Sequence, residues 1–397
     1  MGRTWSAVQS FQINDSWCDL DSEGIGQHCF GDFGLPYYRG MKAMVYAPDN
    51  FAAANTPVTA LLFEILRFMS YNTSLLIYIS MLLICIAIPF LVPKNSEPIL
   101  SRFQMFTFCG ILTTGCISAL DRGNHVVLLI PLLYFFVLAI DEERWNRAII
   151  LLLIMSLLKF WGIIFIIALI ARKKWLHSLI VAFATPVISL FVLWGFPGSL
   201  RNNLQSMLAM VTNRDYSNSI AGYSISIVGF FRRIACAFSS ADVCNTKSFS
   251  SSFLSSTLFS LCILILLVIL ALVLMRMKNV PTHLWVAMLV SLGFLGVPDA
   301  PVYNLSLTVV VIAIIAKTNV GFTEWKIANF TLLIALLVSN TPITLYSNSV
   351  SRFSSTGGDT IPIFRSDYWL TPSAWILFII GLTYDLISHR FIKNNNN

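Results

Sequence analysis

Residues Ala148 to Ile170 read AIILLLIMSLLKFWGIIFIIALI, an apolar run interrupted near its middle by Lys159. The roughly 12 residues on either side of the lysine rise about 18 Å as helix, little more than half of a ~30 Å hydrocarbon core. A cation in mid-membrane is costly and by default faces a polar cavity or an anion. We therefore read the run as a broken, re-entrant hairpin with Lys159 near its apex. The alternative is one ordinary span carrying a buried or snorkelling lysine. The choice decides the topology. A hairpin returns Arg172-Lys173-Lys174 to the side of Arg144 and Arg147, whereas a span puts them opposite and inverts everything downstream.

That the chain belongs in a bilayer follows from composition. Of 397 residues, 56% are hydrophobic and only 11% charged, which exceeds the apolar surface a soluble domain can hide. Nine further spans are read at 73–92, 103–120, 125–140, 177–196, 253–275, 281–297, 303–316, 327–345 and 372–389. With residues 1–56 outside and the hairpin in place, the inner connections carry Lys94 and Arg102, Arg144 and Arg147, Arg172 to Lys174, Arg276 and Lys278, and Lys317 and Lys326; Arg390 and Lys393 follow in the tail. Every short basic connection then lies on one side, as the positive-inside rule requires. The net charge of +7 is thus an orientation signal, not a nucleic-acid footprint.

The outer side receives the polar segments: residues 1–56, the turn Asp121 to His125, a loop at about 197–252, the turn Pro298 to Pro301, and a loop at about 346–371. The organisation expected is an outer catalytic loop over 1–56 and a transmembrane bundle over 57–397. Residues 52–69 are expected to lie along the interface as a helix, with Pro57 in its first turn and Glu64 and Arg67 at i and i+3. The stretch from Ile220 to Phe238, ending its charged part at Arg232-Arg233, reads as an interfacial or short buried helix. Four cysteines lie in the polar loops. Cys18 with Cys29 and Cys236 with Cys244 are disulfide candidates if those loops face an oxidising compartment, and free thiols otherwise.

The chain has no CxxC pair, no HExxH, no GxxxxGK[ST], no GxSxG, and no GxGxxG after a strand, and its five histidines lack ligand spacing. Zinc hydrolysis, P-loop, Rossmann and serine-hydrolase chemistry therefore have no foothold. What remains is the placement of acids and cations at a membrane face. The loop Gly31-Asp32-Phe33-Gly34-Leu35-Pro36-Tyr37-Tyr38-Arg39 sets a carboxylate among aromatic and basic groups just ahead of the first span.

Four passages resemble the integral-membrane GT-C glycosyltransferases that use polyprenyl-phosphate sugars, and among them glycosyltransferase family 87. They are Gly31-Asp32-Phe33 through Tyr37-Tyr38, followed by the Pro-led stretch from Asn55-Thr56-Pro57 to Phe68; the Gly-Asn element Leu120-Asp121-Arg122-Gly123-Asn124; Leu158-Lys159 in a broken span ending Arg172-Lys173-Lys174-Trp175; and Pro298-Asp299-Ala300-Pro301-Val302-Tyr303. The chain departs from the family in two places. It begins in the outer loop, without the spanning helix that precedes that loop in the family, so an in-frame apolar segment is expected upstream of Met1. It also has Lys159-Phe160 where Lys-Pro is expected.

The resemblance implies an all-α polytopic membrane fold of GT-C type, with re-entrant and interfacial helices and an outer-face catalytic loop. It implies inverting transfer of a sugar, mannose in the family, from a polyprenyl-phosphate donor to a lipid-linked or envelope glycan acceptor, at the outer face of the cell's inner membrane; with no metal cluster visible in the sequence, transfer without a metal or other cofactor is expected. Asp32 would take the acceptor's proton, with Asp15, Asp19, Asp21 and Asp49 as competing acids in the same loop. Lys159, Arg122 and Arg39 would steady the departing phosphate, with Arg232 and Arg233 in reserve. Asn124 and His125 would meet sugar hydroxyls or merely end a helix. Tyr37 and Tyr38 would stack on a sugar face or anchor at the interface. Two other classes stay open: an envelope polysaccharide polymerase or ligase, suggested by the loop at 197–252, and a secondary transporter, for which internal repeats would be required.

Overall fold

A computed structural model describes residues 30, 33, 56–92, 98–212, 225–238, 257–277, 280–296, 300, 302–317, 325–341 and 366–395. Regular structure among the described residues is entirely helical. They fall into two units, the first holding residues 30–112 and 116–212, the second 113–115 and 225–395.

In the first unit, α1 (Pro57–Leu66) begins where Thr56 caps it by accepting the Thr59 N–H at 3.2 Å, with proline in the first turn, where its missing donor costs nothing. The face bearing Thr59, Ala60, Phe63 and Leu66 is buried, and Glu64 and Arg67 pair at 2.5 Å. The long apolar helix α2 (Tyr71–Leu91) follows. The span expected at 103–120 is not one straight helix. α3 (Ile99–Met105) runs into a π-helical turn, Phe106–Ile111, and α4 (Thr114–Arg122) leaves at 69° to it. The turn Leu112-Thr113 sits between a π segment and a Thr-Gly pair, both poor at continuing a helix. A 3-10 turn, His125–Leu128, leads into α5 (Leu129–Asp141), whose residues are buried almost throughout and form the middle of the unit.

Next, α6 (Trp145–Leu158) stops at Lys159, whose backbone is extended (φ −148°, ψ 118°). A 3-10 turn, Phe160–Phe165, and α7 (Ile166–Ala171) follow. Here the chain doubles back on itself: a Cβ on Gly162 would stand 2.7 Å from the Met155 carbonyl oxygen, and Lys174 Nζ lies 4.5 Å from the centre of the Trp145 ring. The run therefore leaves at the end where it entered, as the hairpin reading expects. The turns before and after it are alike. Glu143 (φ 54°) and Lys173 (φ 58°) take the left-handed conformation, while the next residues, Arg144 and Lys174, donate N–H to Ala139 and Leu169 at 2.8 and 2.9 Å. Both are helix-ending motifs of the Schellman type. Finally α8 (Trp175–Trp194) and α9 (Leu200–Thr212) meet α1 around Ala60, Leu193 and Phe196. On α8, Phe183, Phe191 and Trp194 are each 68% exposed, an apolar surface suited to lipid and not to water.

The second unit holds α10 (Ile227–Phe238), α11 (Thr257–Arg276), α12 (Thr282–Leu295), a 3-10 turn Val302–Leu307, α13 (Thr308–Lys317), α14 (Lys326–Asn340) and α15 (Ser366–Asn395). Every residue of α12 from His283 to Leu295 is buried, so this helix, only about 21 Å long, is enclosed by protein instead of facing lipid. Helices α14 and α15 run antiparallel. Trp375 Nε1 donates to Ser339 Oγ at 2.7 Å, Gly381 lets Thr331 approach to 2.6 Å of where its Cβ would be, and the buried carboxylate of Asp385 accepts the Ala328 N–H at 2.9 Å. Residues 113–115 also pack in this unit, where a Cβ on Gly115 would come within 2.3 Å of the Ser306 backbone nitrogen.

Among the described residues, three helical stretches are individually long and apolar enough to cross a bilayer: Tyr71–Leu91, Trp175–Trp194 and Trp369–His389. The bent pair α3–α4, taken as one span, makes a fourth. The other expected spans fall on shorter apolar helices among the described residues. The chain is an all-α polytopic membrane protein.

Candidate active site

The motif turn Leu120 to Asn124 ends α4. Gly123 (φ 63°) takes the left-handed conformation that a side chain disfavours, and Asn124 sends its N–H back to the Ala119 carbonyl at 2.8 Å. Asn124 Oδ1 in turn accepts the Val126 N–H at 2.9 Å, capping the 3-10 turn that follows. Asn124 thus ends one helix and caps the next turn, and His125 beside it is buried. Arg122 is half-buried at the last position of α4.

Phe30 and Phe33 are pinned to this same turn. Phe30 donates its N–H to the Asp121 carbonyl at 2.7 Å, and the fully buried Phe33 stacks on Tyr78 at 4.9 Å. Tyr78 donates its hydroxyl to the Gly123 carbonyl at 3.1 Å. A Cβ on Gly123 would stand 3.1 Å from that of Phe33, so the glycine also makes room for the loop. Phe30 and Phe33 flank Asp32 in the sequence. Asp32 itself, with Tyr37, Tyr38 and Arg39, lies outside the described residues.

Helix α1 connects this cluster to the hairpin apex. Its Phe63 lies 5.9 Å from the Phe33 ring and 5.7 Å from that of Tyr78. One turn earlier, about 6 Å along the axis, Thr59 Oγ1 donates to the Leu158 carbonyl at 2.7 Å, and Thr56 Oγ1 donates to Leu157 at 2.5 Å. These are last-turn carbonyls of α6, left without helical partners by the break. Lys159, half-buried, follows directly. Glu64, the intramembrane acid nearest in sequence to these threonines, is engaged by Arg67.

The structure thus brings together three of the four motif passages in one unit: the Asp-Phe loop through Phe30 and Phe33, the Gly-Asn turn, and the Leu-Lys break. The Pro-x-x-Tyr passage belongs to the second unit, as do Arg232 and Arg233, and the side chains of Arg232, Arg233 and both disulfide candidates lie outside the described set. Sequence reasoning missed Thr56 and Thr59. The Thr-Pro pair at a helix start signals a cap, but no local pattern signals a bond to a carbonyl a hundred residues away. Among the described residues, no three His, Cys, Asp or Glu are grouped to hold a metal ion.

The family model of glycosyltransferase family 87 matches residues 54–298, from the start of α1 to the end of α12. The matched stretch contains the Gly-Asn turn and the Lys159 break, while Asp32 lies ahead of it. No curated protein and no solved structure matches the chain.

Proposed function

The chain belongs to glycosyltransferase family 87, and from that premise we propose that it transfers mannose from a polyprenyl-phosphate donor to a lipid-linked or envelope glycan acceptor, at the outer face of the inner membrane. The observation that carries the reading is the linkage of the Asp-Phe loop, the Gly-Asn turn and the Lys159 break through the single helix α1.

In this reading the acceptor hydroxyl oxygen attacks C1 of the donor sugar and the bond from C1 to the phosphate oxygen breaks. Asp32 takes the hydroxyl proton as the new glycosidic bond forms, so one carboxylate suffices for inversion. The electron pair leaves with the polyprenyl phosphate, whose added negative charge is met by Lys159, Arg122 and Arg39. Cations fixed within an apolar wall act more strongly than the same charges in water. Tyr37 and Tyr38 stack on the sugar, and Asn124 and His125 meet its hydroxyls. A sugar other than mannose on the same carrier would demand nothing different of Asp32.

Transfer from polyprenyl-phosphate mannose by the purified full chain in nanodiscs tests the reading. Wild type is expected to transfer the sugar with inversion, and Asp32→Asn, which keeps size but removes basicity, to lose turnover by a factor of 100 or more while still binding donor, on the order of general-base effects. Near-normal transfer by Asp32→Asn would remove Asp32 as the base. Chain joining without monosaccharide transfer would replace the reading with a polymerase.

A further inference from the structure

We propose that Thr59, assisted by Thr56, is a positioning residue for donor binding, acting through Lys159; the proposal rests on the reading of Lys159 as the phosphate-binding cation. The break in the hairpin leaves the Leu157 and Leu158 carbonyls without the N–H groups that a continuing helix would supply. An orphaned carbonyl at this depth has no water to turn to. Two hydroxyls from another helix take both of them: Thr56 reaches Leu157 at 2.5 Å and Thr59 reaches Leu158 at 2.7 Å. Thr59 is fully buried, and its own N–H is bonded to Thr56 Oγ1 at 3.2 Å, which fixes the pair as one unit at the start of α1.

The consequence falls on the next residue. With Leu158 held, Lys159 cannot rejoin α6 and stays extended, its N–H on Met155 at 2.9 Å and its carbonyl accepting the Gly162 N–H at 2.8 Å. The backbone of the lysine is therefore held on both sides, and the hydroxyl of Thr59 sets the peptide immediately before it. Because α1 also carries Phe63 against Phe33, the helix that places Lys159 is the one that packs under the Asp-Phe loop. A donor phosphate bound by Lys159 would thus be set in register with Phe33 by the threonines.

The proposal separates from a merely structural staple in a double-variant cycle on the full chain in nanodiscs, read by donor dissociation constant, transfer kinetics and melting temperature. Thr59→Val keeps the shape and removes the donor hydroxyl. It is expected to raise the donor dissociation constant roughly tenfold, the scale of one lost buried hydrogen bond, and to change kcat little. Thr59→Ser restores the hydroxyl and is expected to return affinity to within about twofold of wild type. In a Lys159→Met background, Thr59→Val should then have no further effect on affinity, because its effect passes through the lysine. Unchanged donor affinity in Thr59→Val alongside a clear defect in Lys159→Met overturns this proposal alone. An undiminished Thr59→Val effect in the Lys159→Met background also overturns it. Wild-type affinity in Lys159→Met removes the premise as well, and absence of any transfer by wild type that still binds donor counts against the glycosyltransferase reading instead.

Discussion

The ammonium of Lys174 stands 4.5 Å from the centre of the Trp145 ring. Were the chain between them one continuous helix, the two residues would lie about 40 Å apart. Their contact closes the base of the hairpin whose apex is Lys159, and a cation over an indole adds about 0.5–2 kcal/mol to that closure. It also puts the basic groups before and after the hairpin at the same end, which is what the charge pattern along the whole chain requires.

Cysteines placed at Asn146 and His177 in a Cys-depleted chain are accordingly expected to react with an impermeant reagent from the same side of sealed vesicles. Ser217 and Ser355, in the loops assigned to the outer side, should react from the other. Labelling of 146 and 177 from opposite faces would defeat the hairpin and leave Lys159 as an ordinary intramembrane lysine.

The tightest point of the hairpin is Gly162. A Cβ there would meet the Met155 carbonyl oxygen at 2.7 Å and its carbon at 2.9 Å, both backbone atoms with no side-chain freedom to yield. Gly162→Ala is expected to cost about 1–3 kcal/mol, as overpacking does, and to lower the melting temperature together with donor affinity. An alanine variant as stable as wild type would mean that the two arms are not so closely apposed.

Asp385 makes a separate prediction in the second unit. Its buried carboxylate accepts the Ala328 N–H at 2.9 Å, at the start of α14, where the helix dipole also favours a negative group. An acid within a membrane helix is by default a candidate for chemistry, but here its bond is that of a helix cap supplied by the neighbouring helix. Asp385→Ala should cost about 0.5–2 kcal/mol in thermal denaturation, and Asp385→Asn, which keeps an acceptor, much less. A stable but inactive Asn variant would move Asp385 from the scaffold to the reaction.

These features differ in how far they could be read in advance. The break at Lys159 and the start of α1 were legible because each is written locally: a charge in an apolar run, and a Thr-Pro pair ahead of an amphipathic stretch. The bend between α3 and α4 was not, since Phe106 to Gly115 is as apolar as a span, and its deviation comes from a π turn and from a glycine pressed against another segment's backbone. Within the candidate site, the residue types were visible but not their partners. That Phe33 would stack on Tyr78, or Thr59 bond Leu158, depends on packing that no spacing along the chain encodes. Asn124 had two readings, and its structural bonds, N–H to the Ala119 carbonyl and Oδ1 from the Val126 N–H, could not be told from spacing either.

Lys159 gives the last test, because a cation held extended at a hairpin apex demands an anion or a structural partner. The α1 acid Glu64 is bonded by Arg67 through both carboxylate oxygens, at 2.5 and 2.6 Å. If the partner is the donor phosphate, Lys159→Met removes the burial cost along with the charge and should leave a folded protein. Donor binding should weaken by about 1.5–3 kcal/mol, the worth of a hydrogen bond to a charged group, which is roughly a ten- to hundredfold rise in dissociation constant. Lys159→Arg keeps the charge but spreads it over a planar fork, and should retain part of the affinity. A Lys159→Met protein that is unstable, and is rescued by adding Glu64→Gln, would instead make the lysine a structural partner of that acid. A stable Lys159→Met protein with wild-type donor affinity would take the phosphate away from Lys159 and leave Arg122 as the described cation to test next.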